Sequence, residues 1–438
     1  MSRSVPPGPD GLPLLGNTLQ YARDPIGFRE RCVEEYGDVV YVRNAGKEVY
    51  MLSRPEFARE ILLTDHDKYE KPDLLQKRVA SAFGNGLLFS DGDLWDRQRR
   101  LLQPAFHPQQ LQRYTEMMVE YSERLVDSWE PGEAYVVQDQ MESVALKILV
   151  RSLFGVDVGE RDRIARSVHD LLARFQPSKQ LLPEWVPTPT NRRYKKAIDH
   201  LEGVIYDIIE QRRAAEDIEG DDLLSILVQA AEDDGVEMSN KTLRDEMVTF
   251  LMAGHESSAV SLTYALDLLT RNPDKEQAML DELDEVIDGT APTFEELRQL
   301  EYTENVVKEA LRMYPPVFSI PRQPLETVEV DGYEVPEGSI FSINVWGIHH
   351  DERWYDDPWT FRPERFEDGD HPEFAYLPFG GGPRQCIGNR FSMMESQVIL
   401  ATIVQQYELE HVDDSPLDLE ASLTVQPEDG LPMVVQER

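Results

Sequence analysis

The chain has 438 residues, with 82 acidic against 44 basic side chains, a formal net charge of −38, and 41% hydrophobic residues. That apolar content is enough for a sizeable core and excludes an acidic disordered tail, while the charge argues against nucleic acid or an anionic membrane surface, both of which select a basic face. So acidic a surface repels itself in dilute buffer, but at molar salt the screening length shrinks to roughly 3 Å, so the composition reads as that of a salt-adapted, halophilic protein.

In chain order, residues 1–16 form a Pro/Gly-rich lead-in without the apolar stretch of a secretion signal. Residues 39–52 alternate as a short hairpin with its turn at Asn44-Ala45-Gly46. From 55 to about 270 the apolar residues recur at helical spacing, clearest in 111–129, 141–154, 198–213 and 223–231. The longest uninterrupted helix is predicted over 241–270, capped by Ser239 and ended by Asn272-Pro273; thirty residues span about 45 Å. A further helix over 303–314 stops at Pro315-Pro316, and short strands follow near 327–335 and 339–345. After a Pro- and aromatic-rich coil over 354–378, a Gly-rich loop leads into a last helix over 387–407, and 423–435 reads as a terminal hairpin. No window approaches the roughly 18 apolar residues of a spanning helix. The two cysteines, Cys32 and Cys386, make no disulfide framework and suit a reducing, cytoplasmic setting. One large domain over 1–438 is expected, mostly α with a small β portion (α+β).

The sharpest chemistry lies in Phe379-Gly-Gly-Gly-Pro-Arg-Gln-Cys386-Ile-Gly388. A thiol on a Gly-rich loop just before a helix meets converging N–H groups and a helix dipole, which favour thiolate. Consecutive glycines let something flat approach the backbone. One thiolate without a second Cys or a nearby His pair is wrong for zinc or an iron–sulfur cluster and fits the axial ligand of haem iron, with Arg384 aimed at a propionate. The second oddity is Ala253-Gly254-His255-Glu256-Ser257-Ser258 in the middle of the long helix. Gly costs a helix interior about 1 kcal/mol against Ala, so Gly254 requires a reason; room for a small ligand and a local opening of the helix supply one.

These residues resemble the cytochrome P450 superfamily of haem-thiolate monooxygenases. Its cysteine loop, Phe-x-x-Gly-x-Arg-x-Cys-x-Gly, is matched by Phe379, Gly382, Arg384, Cys386 and Gly388. Glu309-Ala-Leu-Arg312 resembles its Glu-x-x-Arg helix, and Pro363-Glu-Arg365-Phe the segment whose Arg completes that ion-pair network; both are read as scaffold. Trp95 and Arg99, in Trp95-Asp-Arg-Gln-Arg99, and Arg322, in Ile320-Pro-Arg322, match positions that hold haem propionates, with Lys77 a weaker candidate. Ala253, Gly254, Glu256 and Ser257 match the oxygen pocket, where the family's usual Thr is here Ser257, which keeps the hydroxyl but loses the methyl that fixes its rotamer.

The resemblance implies a long central helix over haem b, a thiolate loop before the last long helix, and insertion of one oxygen atom of O2 into an apolar substrate, with weak preference for a fatty acid, lipid or isoprenoid. Glu256 and Ser257 would deliver protons. Since no flavin or iron–sulfur motif is present, electrons would come from a separate ferredoxin-type partner and its reductase. Val317, Phe318 and the turn at Gly430-Leu431 are expected to line the apolar pocket. Arg97, Arg100 and Arg390 form a candidate basic island for an acidic donor protein. Alternatives are a peroxide-driven haem peroxygenase or haem isomerase, and a non-catalytic haem-based sensor. His107, His349 and His350 read as structural, His255 as second to the motif or exposed, and Cys32 as packed.

Overall fold

The computed structural model describes residues 5–73, 76, 82–156, 161–172, 174, 185–214, 220–233, 238–367, 369 and 371–438. Lys77 lies outside the described residues. The chain gathers into two compact units, each assembled from segments distant in sequence: Met1–Arg78 with Lys308–Cys386 and Leu423–Val425, and Val79–Val307 with Ile387–Ser422 and Gln426–Arg438.

The first unit is built on a five-stranded sheet. Its predicted hairpin pairs Val39–Asn44 with Lys47–Leu52, and both turn residues have positive φ (Ala45 51°, Gly46 78°), the turn that matches the natural strand twist. Ile340–Ile343 adds in parallel to the second strand, Ile320–Pro324 pairs antiparallel to it, and Tyr69–Glu70 closes the order. The inner face packs Tyr50, Leu52, Phe341 and Ile343 against Ile61, Leu62 and Leu377. Leu377 stands two residues before the Cys386 loop begins, so this core anchors the loop's near end. The expected strand over 327–335 is a small hairpin, Val328–Val330 with Tyr333–Val335.

The second unit is helical. Its longest element, Asn240–Arg271, starts where Ser239 Oγ accepts the Thr242 N–H at 3.1 Å and ends at Asn272 before Pro273, as its sequence signals indicate. It packs chiefly on Val137–Phe154, Pro189–Ala214 and the last helix, Asn389–Gln406. Because it is buried nearly all round, its weak amphipathicity is expected of a helix running through a core. The predicted terminal hairpin over 423–435 is not present. Pro432–Glu437 instead lies between Ala134–Val136 and Tyr407–His411, so its partners come from distant sequence. Local alternation identified the strand but carried no information about its partners.

Candidate functional site

The cysteine loop is closed on itself. The Cys386 N–H donates to Phe379 O at 3.0 Å, Gln385 N–H to Gly382 O at 3.1 Å, and Gly380 N–H to Leu377 O at 3.0 Å. Gly380 and Gly382 have φ of 69° and 67°, a region costly for any residue with a Cβ. A Cβ on Gly382 would stand 1.9 Å from Leu62 O, and one on Gly381 2.5 Å from the Phe374 ring. The three glycines are thus forced by left-handed backbone and close approach, and they present the Cys386 thiol at the surface of its unit, exposed. Phe379 and Arg384 are half-buried, and Gly388 is the N-cap of the last helix, its carbonyl accepting the Ser392 N–H at 2.8 Å.

A buried ion network supports this loop. Arg312 donates from Nε and Nη2 to both oxygens of Glu309 at 2.7 and 2.9 Å, and to the carbonyls of His349 and Pro358 at 2.8 and 2.7 Å. Arg365 Nε and the Arg362 N–H each reach Glu309 Oε1 at 3.1 Å. Glu309 and Arg312 are wholly buried, so the pair read from sequence as scaffold is one. The link onward is His349. Its Nε2 accepts the Leu377 N–H at 2.8 Å, leaving Nδ1 to donate to Arg312 O at 3.0 Å. Burial, with the charges of His350 and Arg312, holds His349 neutral, far below the usual histidine range. A run of hydrogen bonds therefore joins Arg312, His349, Leu377 and Gly380. Sequence reasoning classed His349 as structural but could not name its partners, since Arg312 and Leu377 are 37 and 28 residues away.

In the other unit, the central helix has an opening on one side. Between Leu243 and Leu269 only Phe250, Ala253, Gly254 and Ser257 are not buried, and their spacing of three and four puts them on one face. Small side chains on an open face are what a flat ligand requires. Glu256 is buried beside it, 8% exposed. The local helix opening expected at Gly254 is absent, since the α-helix runs unbroken and Ser257 Oγ donates to Ala253 O at 2.9 Å. Gly254 has a packing reason instead: a Cβ would meet Leu149 Cδ2 at 3.0 Å. His255 is buried rather than exposed, bonded at Nδ1 to Leu251 O at 2.9 Å and pushed down to about 4 by desolvation.

The remaining predicted residues fall as follows. Trp95 and Arg99 lie one turn apart on helix Gly92–Leu102 and are half-buried, while Gln98 between them is buried and holds Asn85 O at 2.7 Å. Arg322 sits on strand Ile320–Pro324 opposite Phe341, its Nη1 donating to Pro321 O at 2.8 Å. Arg97, Arg100 and Arg390 are exposed, and Arg100 lines an open surface cleft with His107 and Arg113. Phe318 is buried, with the Arg29 guanidinium 5.2 Å from its ring, and Leu431 is 4% exposed. Cys32 is buried, and its thiol is pushed up to about 11, which keeps it protonated and inert. Sequence reasoning missed Ser258 and Glu395, polar residues buried on the central and last helices, and the 3.2 Å contact of Ser258 Oγ with the half-buried Ser392 Oγ. A lone acid within 391–404 of the last helix was the available signal.

An exposed thiol, the one soft ligand on a loop shaped by obligatory glycines, fits the iron of haem. The Cytochrome P450 family model matches residues 6–433. The chain is 34% identical over 418 residues to cyclooctat-9-en-7-ol 5-monooxygenase of Streptomyces melanosporofaciens, covering 93% of this chain and 90% of the relative. It is 30% identical over 426 residues to pentalenene oxygenase of Streptomyces avermitilis, covering 95% and 94%. The solved structure of retinoic acid bound cyanobacterial CYP120A1 superposes with a TM-score of 0.91 at 25% identity, covering both chains completely. Among the described residues no helix is long and apolar enough to cross a membrane. This chain belongs to the cytochrome P450 family and is an oxidoreductase of the monooxygenase type whose cofactor is haem b.

Proposed function

We propose that the chain is an isoprenoid hydroxylase: it inserts one oxygen atom of O2 into an apolar terpenoid and takes electrons from a separate ferredoxin and its reductase. Bound haem supplies the redox-active iron at which dioxygen is activated. Cys386 would ligate the haem iron through its thiolate, its backbone held by the bond from its own N–H to the Phe379 carbonyl. Arg384, Arg322, Arg99 and Trp95 are proposed for the propionates, Arg because its planar, permanently charged fork suits a carboxylate. Glu256 and Ser257 hold and pass the protons that oxygen activation consumes. Ser257, bonded to Ala253 O, keeps its hydroxyl beside the open helix face.

The observation that carries this reading is that face, small and uncharged at Ala253, Gly254 and Ser257 on a helix otherwise buried. An apolar site with few polar anchors suits a hydrocarbon ring system. The relatives named for cyclooctat-9-en-7-ol and pentalenene support a terpenoid over a fatty acid. The interleaving of the two units along the chain supports one folding domain, since neither is a continuous segment. The exposed Arg97, Arg100 and Arg390 support a docking surface for an acidic ferredoxin within an acidic, salt-adapted shell.

The reduced protein under carbon monoxide should show the red-shifted thiolate Soret band, and Cys386→Ala should lose it. Terpenoids should shift the spin state in a ligand panel where fatty acids do not. Survival of the band in Cys386→Ala sinks the ligand assignment, and turnover with peroxide but none with reduced ferredoxin makes the protein a peroxygenase.

A further inference from the structure

Arg29 lies on the helix Pro25–Tyr36 and is 6% exposed, yet among the described residues no carboxylate pairs with it. Its Nη1 donates to Ser342 Oγ at 3.1 Å, and that oxygen lies 2.8 Å from Ser319 Oγ. Among the described residues Nε is buried without a partner and no acceptor meets Nη2. The charge stands instead over two rings, 5.2 Å from that of Phe318 and 5.6 Å from that of Tyr21. Ring faces offset part of the desolvation of a cation but leave its N–H edge unfilled. A Met would pack against the same rings without burying a charge, so packing gives no reason for Arg here. The edge left open is the one that grips carboxylates. In the same unit Arg312 holds Glu309 through Nε and Nη2, at 2.7 and 2.9 Å. Arg29 has the same fork without the acid.

Its surroundings are apolar and partly open. Tyr21 and Ser319 are half-buried, Val317 is exposed, and so are Leu15 and Leu19 beside Tyr21 in the chain. Phe318 is two residues from Ile320, whose Cδ1 would stand 3.7 Å from a Cβ on Gly380 of the cysteine loop. At most about 7 Å of chain therefore separates the Arg29 contact from the contact with that loop, short against an isoprenoid chain.

We propose that Arg29 anchors the carboxylate of an isoprenoid acid, a narrowing of substrate class that rests on reading the chain as an isoprenoid hydroxylase. The carboxylate takes the Nε–Nη2 edge through two parallel N–H bonds, while Nη1 stays on Ser342 and the hydrocarbon lies against Phe318 and Val317. One guanidinium balances one negative charge, which selects a carboxylate over a diphosphate. A net charge of −38 repels an anion at a distance, so only a desolvated contact, little screened by salt, recognises one. Held at its acid end, the isoprenoid has one register, which fixes the carbon that is oxidised. Arg29 is thus a specificity-determining residue.

Spin-state titrations of the holoprotein with farnesoic acid, farnesol and hexadecanoate test this. The native protein should bind farnesoic acid about tenfold more tightly than farnesol, and hexadecanoate more weakly than farnesoic acid. Arg29→Gln should raise the Kd for farnesoic acid about ten- to a hundredfold and change that for farnesol less than about threefold. Arg29→Lys, charged but without the fork, should fall between. Because the guanidinium is buried unpaired, Arg29→Met should unfold in urea at the native midpoint or above it. A lower midpoint makes Arg29 a structural residue and overturns the proposal. So does equal native affinity for acid and alcohol, an unchanged farnesoic acid Kd in Arg29→Gln, or tighter binding of farnesyl diphosphate than of farnesoic acid. Should Arg29→Gln fail to fold, Arg29→Met carries the same titrations. A spin-state shift with hexadecanoate and none with either farnesyl compound fails the isoprenoid reading instead.

Discussion

Arg312→Lys tests the scaffold beneath the cysteine loop. The native guanidinium makes four hydrogen bonds, two to Glu309 and one each to the carbonyls of His349 and Pro358, all between 2.7 and 2.9 Å. Lysine keeps the charge but has no planar fork, so it cannot span Glu309 bidentately while reaching both carbonyls. Two of the four bonds are lost, and at about 1.5–3 kcal/mol for a bond to a charged group the expected cost is about 3–6 kcal/mol. Arg365, still 3.1 Å from Glu309 Oε1, compensates the carboxylate and places the value toward the lower end. That is a large share of a typical stability of about 5–15 kcal/mol. Urea unfolding of the holoprotein, followed by circular dichroism, should show a lower midpoint at unchanged slope. The thiolate Soret band should fade before the helical signal, because His349 and Leu377 transmit the displacement to the loop. Arg365→Lys, which gives up fewer bonds to Glu309, should cost less. A loss under about 0.5 kcal/mol in Arg312→Lys, the range of an ordinary surface substitution, would refute the reasoning.

Gly382→Ala should lose the thiolate band, because its Cβ would stand 1.9 Å from the Leu62 carbonyl at a φ of 67°; Gly332→Ala, at φ 79° with nothing within 4 Å, carries only the conformational cost of about 1–2 kcal/mol and should keep it. Acid should destabilise the protein through its buried histidines: His255, about 4 in the folded state against about 6.5 unfolded, contributes stability that is complete above pH 6.5 and is lost as pH falls toward 4, up to about 3 kcal/mol, so His255→Gln should flatten the acid limb of a stability–pH curve. Glu395 acts with the opposite sign: its folded value near 8 exceeds the unfolded value near 4.5, so stability declines as pH rises between them, and Glu395→Gln should remove that slope. If the charge of −38 is a salt adaptation, raising KCl from 0.1 to 2 M should raise the unfolding midpoint, and an unchanged or lower midpoint removes that reading.

The chemistry was legible in the sequence because its signals are local. The Cys386 loop needs glycines whose left-handed φ and close approaches belong to that one segment, and Ser239 and Pro273 mark the ends of the central helix within a residue or two. The Glu309–Arg312 pair sits at i,i+3 on one helix, so its spacing is visible even when its burial is not. Tertiary structure decided whatever depends on a partner far along the chain. It assigned Gly254 to Leu149 rather than to a helix break, set Phe318 under Arg29, and gave Pro432–Glu437 two strands from elsewhere in place of a hairpin. It also turned His349 into the link between Arg312 and Leu377, and brought Ser258 to Ser392 across two helices. Desolvation and hydrogen-bond geometry are properties of the packed neighbourhood, and no spacing along a chain encodes which distant groups will enclose a side chain.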